Sequence, residues 1–213
     1  MHPALENAHA VLFDFDGVIL DTEWPIYQSW KRLYVREGQT LEQAMYVKCI
    51  GSDFDTWSPE NYLEELTGKT FDWEKENAAR QVEIMRDLEN SKPMPGAADL
   101  IKFLADKPTA VVSSSSHHWV DGWLEKLGLT THFNTTVCRG DAPRIKPAPD
   151  LFLEAAQRLE TEPVHCLVIE DSMNGLLSAH QAGMKVLAVP NKLTSVLDFS
   201  SADWTAESLD GLP

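Results

Sequence analysis

Two aspartates, Asp14 and Asp16, stand two residues apart in the stretch VLFDFDG, and Glu170 follows an apolar run directly ahead of Asp171 in VIEDS. At the end of an extended segment, carboxylates with the first spacing project to one side, because a strand alternates its side chains with a period of two. Held about 4 Å apart at an effective dielectric near 20, such a pair repels by about 4 kcal/mol. It therefore calls for a cation or a shared proton. Four carboxylates converging on one crevice would suit a hard divalent cation that takes oxygen ligands. An EF-hand loop does not fit: it places glycine sixth and acidic groups first, third and fifth, whereas here Gly17 is fourth and Val18 fifth. Taken alone, the Asp14 and Asp16 pair reads equally well as turn chemistry. One of Glu170 and Asp171 reads equally well as a helix N-cap.

A second group of residues suits an anion. The apolar run Ala110, Val111, Val112 leads into Ser113, Ser114, Ser115 and Ser116 and then a helical pattern, gathering hydroxyls and backbone N–H groups at a helix start. Phosphate binding and simple N-capping by one serine read equally well there. Lys146, in RIKPAPD, precedes a proline that disfavours helical geometry. A lysine on such a rigid loop could neutralise a phosphate and hold down the pKa of a nearby carboxylate, although a solvated surface lysine is the plainer reading of any one example. His117 and His118 beside the serines suggest a Ser–His hydrolase, but the sequence has no GxSxG elbow and neighbouring helix residues point in different directions.

These side chains need a scaffold. From residue 95 onward, apolar runs of strand length at 109–113, 136–138, 166–170 and 185–189 alternate with helical patterns at 116–126, 149–159 and 173–182. That alternation marks βαβ units around a parallel sheet, and the run 10–15 supplies its first strand. The helical patterns stop near Gly128, Leu159 and Gly183, two of them glycines suited to a helix C-cap. Residues 21–90 carry helical patterns without a convincing strand, and hold 10 of the 19 aromatic residues, enough for a small core of their own. Pro93, Pro95 and Gly96 mark the return to the α/β pattern and would suit a hinge. The expected fold is α/β, a Rossmann-like parallel sheet with helices on both faces. Residues 1–20 and 92–213 form its core, and 21–91 an inserted helical domain.

Composition excludes several classes. A chain of 213 residues with 43% hydrophobic and 24% charged residues has the make-up of an ordinary globular protein. No apolar run approaches the roughly 18 residues of a membrane span, and the first residues lack the pattern of a signal peptide. The cytoplasm is the expected address, with no membrane partner. Acidic residues outnumber basic ones 33 to 18 without a basic cluster, which disfavours nucleic acid. Cys49, Cys138 and Cys166 show no CxxC spacing, so they read as reduced and structural rather than as a disulfide framework or zinc site. A monomer or weak dimer is expected.

In order along the chain, DFDGVILDTE, VVSSSS, KPAPD and IEDSMNGLLSAHQAGM resemble the four motifs of the haloacid dehalogenase-like hydrolase superfamily. The resemblance is to its branch of small-molecule phosphatases similar to β-phosphoglucomutase, and it spans nearly the whole chain. It implies a helical cap at 21–91, Mg²⁺ as cofactor and a small phosphorylated metabolite as substrate, a sugar phosphate or nucleotide-type monoester. It makes Asp14 the nucleophile that forms an aspartyl-phosphate, and Asp16 the acid that protonates the leaving oxygen and then the base that activates water. It assigns the metal to the Asp14 carboxylate, the Asp16 main-chain carbonyl, Asp171, and Glu170 directly or through water. Ser113, Ser114 and Lys146 would hold the phosphoryl oxygens.

The departures from the pattern also inform. Asp16 separates the chain from the family's dehalogenases, which do not carry that acid. Sugar-phosphate mutases of this branch place a histidine after the first motif and an arginine in the cap. Here Ile26 stands at the first place and residues 50–57 hold no arginine, so water is the expected acceptor, with a β-phosphoglucomutase-like mutase as the alternative. Lys48, Lys69 and Arg80 remain as cap cations that could meet a second anionic group, which keeps the mutase as the alternative. A phosphoacceptor switch resembling receiver domains would be shorter and would lack the insertion. Trp24, Tyr27 and Trp57 are expected to pack a core rather than stack on a substrate. The cap should close through crossings near Asp21 and Lys92.

Overall fold

The computed structural model describes residues 2–51 and 57–213. Part of the 50–57 stretch read above for its lack of arginine, residues 52–56, lies outside the described residues. Six strands, β1 (Ala10–Phe13), β2 (Thr109–Ser116), β3 (Thr135–Arg139), β4 (Cys166–Glu170), β5 (Lys185–Ala188) and β6 (Trp204–Thr205), form one sheet in the order β3-β2-β1-β4-β5-β6. Every pairing is parallel. The fold class is therefore the Rossmann-like α/β arrangement expected. The chain passes from β1 to β2 and β3 on one side and then returns to lay β4 on the other side of β1. Open sheets of this kind bind ligands beyond the carboxyl ends of the strands, where the order switches.

Both faces of the sheet are buried, as a parallel sheet requires. Val11, Phe13, Val111, Leu167, Ile169 and Leu187 point to one hydrophobic cluster, shared with Leu100 and Ile101 of helix α6 (Ala97–Phe103) and Val120 and Trp123 of α7 (His117–Leu127). The alternate residues Ala10, Leu12, Ala110, Val112, Val168 and Val186 face a second cluster with α8 (Asp150–Arg158) and α9 (Met173–Gln181). A short helix, α1 (Pro3–Glu6), precedes β1. Between β1 and β2 lie α2 (Glu23–Arg36), α3 (Gln43–Tyr46), α4 (Pro59–Thr67) and α5 (Trp73–Asp87), with no strand among the described residues. Tyr27, Trp30, Leu33, Tyr34, Tyr46 and Leu63 bury themselves in a third cluster there, joined by Leu193 of the sheet layer. Tyr27 accordingly packs rather than stacks on a ligand: it is 3% exposed and its hydroxyl donates to the Leu41 carbonyl. The two crossings into this helical layer pair with each other, Met94 N–H donating to the Ile19 carbonyl at 2.8 Å and Leu20 bridging Pro93.

Three boundaries differ from the sequence reading. β1 ends at Phe13, so Asp14 and Asp16 occupy the loop that leaves the strand. β2 runs on to Ser116 through a register shift after Val112, so the serine run is extended backbone that leads directly into α7. Ser116 stands at the α7 N-cap without a side-chain cap bond. The N-cap of α9 is Ser172, whose hydroxyl accepts from Gly175 N–H, so neither Glu170 nor Asp171 fills that role. Strand β6 is only two residues long and carried no periodic signal. Among the described residues no helix is long and apolar enough to cross a membrane.

Candidate active site

Three carboxylates and one ammonium meet beyond the ends of β1 and β4. Asp14 leaves β1 with its N–H on the Ile169 carbonyl, and Glu170 closes β4. Lys146, from the loop before α8, is 1% exposed; its Nζ donates to Asp14 Oδ1, to Glu170 Oε1 at 2.7 Å and to the Val112 carbonyl at 2.9 Å. Its three protons are thus all engaged. Glu170 Oε2 accepts from the backbone of Asp171 and Ser172 and from the Ser172 hydroxyl, each at 2.9 Å. Gly175, on the first turn of α9, lies so close that a Cβ there would overlap the Glu170 carboxylate. Glu170 is in effect a fixed strut between Lys146 and the start of α9.

Asp171 is held differently. Its Oδ2 accepts from Asn191 Nδ2 at 2.6 Å and from the Thr194 hydroxyl at 3.4 Å, while its Oδ1 is buried and has no hydrogen-bond partner. A buried acceptor left unpaired costs on the order of 1–3 kcal/mol, more when charged. One oxygen each from Asp14, Glu170 and Asp171 lie within 4.8 Å of one another. Burial, reinforced by the neighbouring carboxylates, raises the pKa of Asp171 well above the usual range. Burial also raises Asp14, against the pull of Lys146 and with the push of Glu170 and Asp16. For Lys146 burial works the other way, yet Asp14 and Glu170 outweigh it and hold the proton more firmly than usual. The cluster carries more negative charge than Lys146 balances, and the unpartnered Asp171 oxygen is a ligand position that a cation would fill.

Asp16 does not join this group. Its carboxylate turns to the opposite wall, where Oδ1 accepts from the Thr22 hydroxyl at 2.6 Å and Trp119 Nε1 at 3.0 Å. Its Oδ2 accepts from Ser113 at 3.0 Å and Ser115 at 2.7 Å. The structure therefore brings together three of the four carboxylates picked out in the sequence and sets the fourth apart. Ser114 donates to the Gly51 carbonyl at 3.1 Å and Asn174 to the Ile50 carbonyl at 2.6 Å, which ties the helical layer to the sheet edge. Asp14, Asp16, Ser113, Ser114 and Asp171 line a cavity of about 130 Å³ with Ile26 and Glu23. A second cavity of about 510 Å³ adjoins it, sharing Asp16, Glu23, Ile26, Ser115 and Arg139 and continuing past Trp30, Trp119 and Arg80.

Several residues here escaped the sequence reading. Thr22 and Glu23 close the stretch that begins at Asp14, so proximity to the first aspartates was a usable signal. Glu23 has its pKa pushed up to about 8, by burial first and then by Asp16 and Asp14. Asn191 and Trp119 lie in segments with no local signature. Asn191 also donates to the Gly17 carbonyl at 3.2 Å, and Gly17, at φ +90°, lies against the Asn191 and Asp171 side chains where a Cβ would collide. His117 completes no Ser–His pair, because Asp121 and Asp141 occupy both of its ring nitrogens at 2.9 and 2.7 Å.

Comparison with known proteins places this geometry in context. A family model described as haloacid dehalogenase-like hydrolase matches residues 11–189. YhcW of Bacillus subtilis (strain 168), a phosphatase by name, is 36% identical over 202 residues, covering 94% of this chain and 91% of its own. The fructose-1-phosphate phosphatase YqaB of Escherichia coli (strain K12) is 31% identical over 187 residues, covering 86% of this chain and 97% of its own. The crystal structure of β-phosphoglucomutase from Clostridium difficile superposes with a TM-score of 0.74 at 22% identity, covering 97% of this chain and 93% of that one, a likeness of fold.

Proposed function

The chain belongs to the haloacid dehalogenase-like hydrolases and is a phosphoric monoester hydrolase, and on that premise we propose a magnesium-dependent phosphatase of small phosphorylated metabolites that works through an aspartyl-phosphate. The observation that carries this reading is Asp171 Oδ1, a buried and unpartnered carboxylate oxygen in a cluster with an excess of negative charge. Hard oxygen donors in such surroundings fit a cation of the magnesium type. Asp14, Asp171 and the main-chain carbonyl of Asp16 would hold it, with Glu170 reaching it through water because both Glu170 oxygens already accept hydrogen bonds. When bound, the ion offsets the charge of the incoming phosphate and of the transition state.

Asp14 attacks phosphorus through a carboxylate oxygen, the bond from phosphorus to the ester oxygen breaks, and Asp16 delivers a proton to the departing oxygen. Asp16 then takes a proton from a water whose oxygen attacks the aspartyl-phosphate, releasing inorganic phosphate and restoring Asp14. Thr22, Ser113, Ser115 and Trp119 keep the Asp16 carboxylate on the boundary between the two cavities, where a leaving oxygen would pass. Ser113 and Ser114, whose hydroxyls now donate to Asp16 and to the Gly51 carbonyl, would turn to meet the phosphoryl oxygens, and Lys146 contributes charge rather than a free N–H. Residues 21–91 act as a cap over a core of 1–20 and 92–213, turning about the paired crossings. The 130 Å³ cavity is sized for a phosphoryl group and the larger one for the remainder of the substrate. Ile26 in the cavity wall, at the place of the mutase histidine, favours water as acceptor. The enzyme is read as cytoplasmic, a monomer or weak dimer, without nucleic-acid or membrane partners.

Hydrolysis of p-nitrophenyl phosphate tests the reading. Chelation should lower the rate by at least about 10²-fold and added Mg²⁺ restore it, and Asp14→Asn should lower kcat by about 10³-fold or more. Full activity in Asp14→Asn would remove the nucleophile. Faster isomerisation than phosphate release from a hexose 1-phosphate, primed with a trace of the bisphosphate, would give the mutase precedence.

A further inference from the structure

The 510 Å³ cavity holds a charge that the hydrolytic machinery does not use. Arg80 sits on α5, on the face that also presents Asn77, Gln81 and Ile84 to the cavity at the helical spacing of three, four and seven. It is 9% exposed, and its guanidinium lies 3.3 Å from the centroid of the Trp30 ring. Nη1 donates to Asn77 Oδ1 at 2.8 Å; Nε is buried with no partner, and Nη2 donates to nothing among the described residues. Among the described residues no carboxylate pairs with it directly. Glu60 is reached only through the Asn77 amide, whose Nδ2 donates to Glu60 Oε1 at 2.8 Å. Glu83, the other acid nearby, is taken by Arg32 at 2.6 Å.

A guanidinium kept from water without a counter-ion costs several kcal/mol, so its retention points to a partner that arrives from outside. The cavity says where. The residues it shares with the phosphoryl-sized chamber are Asp16, Glu23, Ile26, Ser115 and Arg139; Arg80 lines the larger cavity only. Of the two other cap cations singled out in the sequence, Lys69 pairs with Glu37 at 2.7 Å on the surface, and Lys48 is exposed beside Met45.

We propose that Arg80 receives a second anionic group on the substrate, a carboxylate or a phosphate at the end opposite the phosphate that is cleaved. The inference rests on the phosphatase reading and narrows its substrate class. Asn77 orients the guanidinium and Trp30 covers one of its faces, leaving Nη2 to an incoming oxyanion, with Nε joining once its neighbours shift.

The test uses matched substrates with the full-length enzyme. One pair is 6-phosphogluconate against glucitol 6-phosphate, which differ by a terminal carboxylate. The other is mannitol 1,6-bisphosphate against mannitol 1-phosphate, which differ by a terminal phosphate. The wild type should favour the anionic member of at least one pair by roughly tenfold or more in kcat/KM, and the pair that responds identifies the anion. Arg80→Gln should pull that ratio toward one, mainly through KM, and Arg80→Lys should recover part of it. A wild-type ratio near one in both pairs, with all four compounds hydrolysed, would overturn this inference and leave the phosphatase reading standing. An Arg80→Gln enzyme whose two members of the preferred pair weaken alike, beside a lowered melting temperature, would reduce Arg80 to packing against Trp30. Should Arg80→Gln not fold, Arg80→Lys and the wild-type ratio decide. An enzyme that hydrolyses p-nitrophenyl phosphate but none of the four would overturn this inference alone, and one that hydrolyses none of the five would sink both readings.

Discussion

Two clusters of acids and bases lie at the carboxyl edge of the same sheet, and they differ in one variable, their access to water. In the first, Lys146 and Glu170 are each 1% exposed and bind Asp14 and the start of α9 into one network. In the second, His117 bridges Asp121 and Asp141 with side-chain exposures of 42%, 51% and 20%, and Arg158 completes it at 3.3 Å from Asp141. The residue types are nearly the same. In the dry cluster an unbalanced charge has no solvent to fall back on, which is why a cation is proposed to bind there. In the wet one the same chemistry ties α7 to the loop after β3 and carries no unpaired group. Burial, more than residue identity, separates a reactive centre from a surface clasp.

The largest expected effect tests the dry cluster. Lys146→Met leaves Asp14 and Glu170 facing each other without their shared cation, and breaking a buried pair in this way costs about 3–5 kcal/mol. Urea denaturation should register that loss, with phosphate release falling to background. A cost below about 1 kcal/mol, the range of exposed pairs, would erase the contrast between the clusters.

A matched pair of glycine substitutions sharpens it. Gly175 in α9 abuts the Glu170 carboxylate, so Gly175→Ala must displace a side chain fixed by four hydrogen bonds and should cost about 1–3 kcal/mol as overpacking. Gly122 in α7, the helix that bears His117 and Asp121, has open space where its Cβ would go. Gly122→Ala should therefore stabilise by roughly 0.5–1 kcal/mol, the helix-propensity gain. Melting temperatures that move in the same direction in both variants would deny that the first site is sterically closed.

What could be read in advance follows the same division. Five of the six strands and most of the helices of the sheet layer announced themselves, because a buried parallel strand needs a continuous apolar run and its helix a stripe. The clustered carboxylates were legible because they sit immediately after those runs, at Asp14 and at Glu170 with Asp171. What failed to appear depends on contacts distant in the chain. Asn191 reaches Asp171 and Gly17 across 20 and 174 positions, and Trp119 reaches Asp16 across 103. No spacing rule encodes such meetings. The serine run does lead into α7, as its pattern indicated, but β2 continues through it and aims Ser113 and Ser115 at Asp16 instead of at the α7 N–H groups. Arg80 was visible as a cap cation, yet only its burial against Trp30 distinguishes it from Lys48 and Lys69.

The smallest expected effect belongs to the wet cluster. Partial burial works against the charged form of His117, but its hydrogen bonds to Asp141 and Asp121 outweigh that and raise its pKa above 6.5. A histidine whose folded pKa is raised contributes stability that is fully present below its unfolded value and is lost as pH climbs through the folded one. With the imidazole 42% exposed, solvent screening limits the contribution to a few tenths of a kcal/mol up to about 1 kcal/mol. His117→Gln should accordingly be less stable than wild type at pH 5.5 and nearly level with it at pH 9, in paired urea titrations. A gap that widens with pH would mean that the histidine is held neutral, and loss of phosphate release on the scale of Asp14→Asn would move His117 from the clasp into the chemistry.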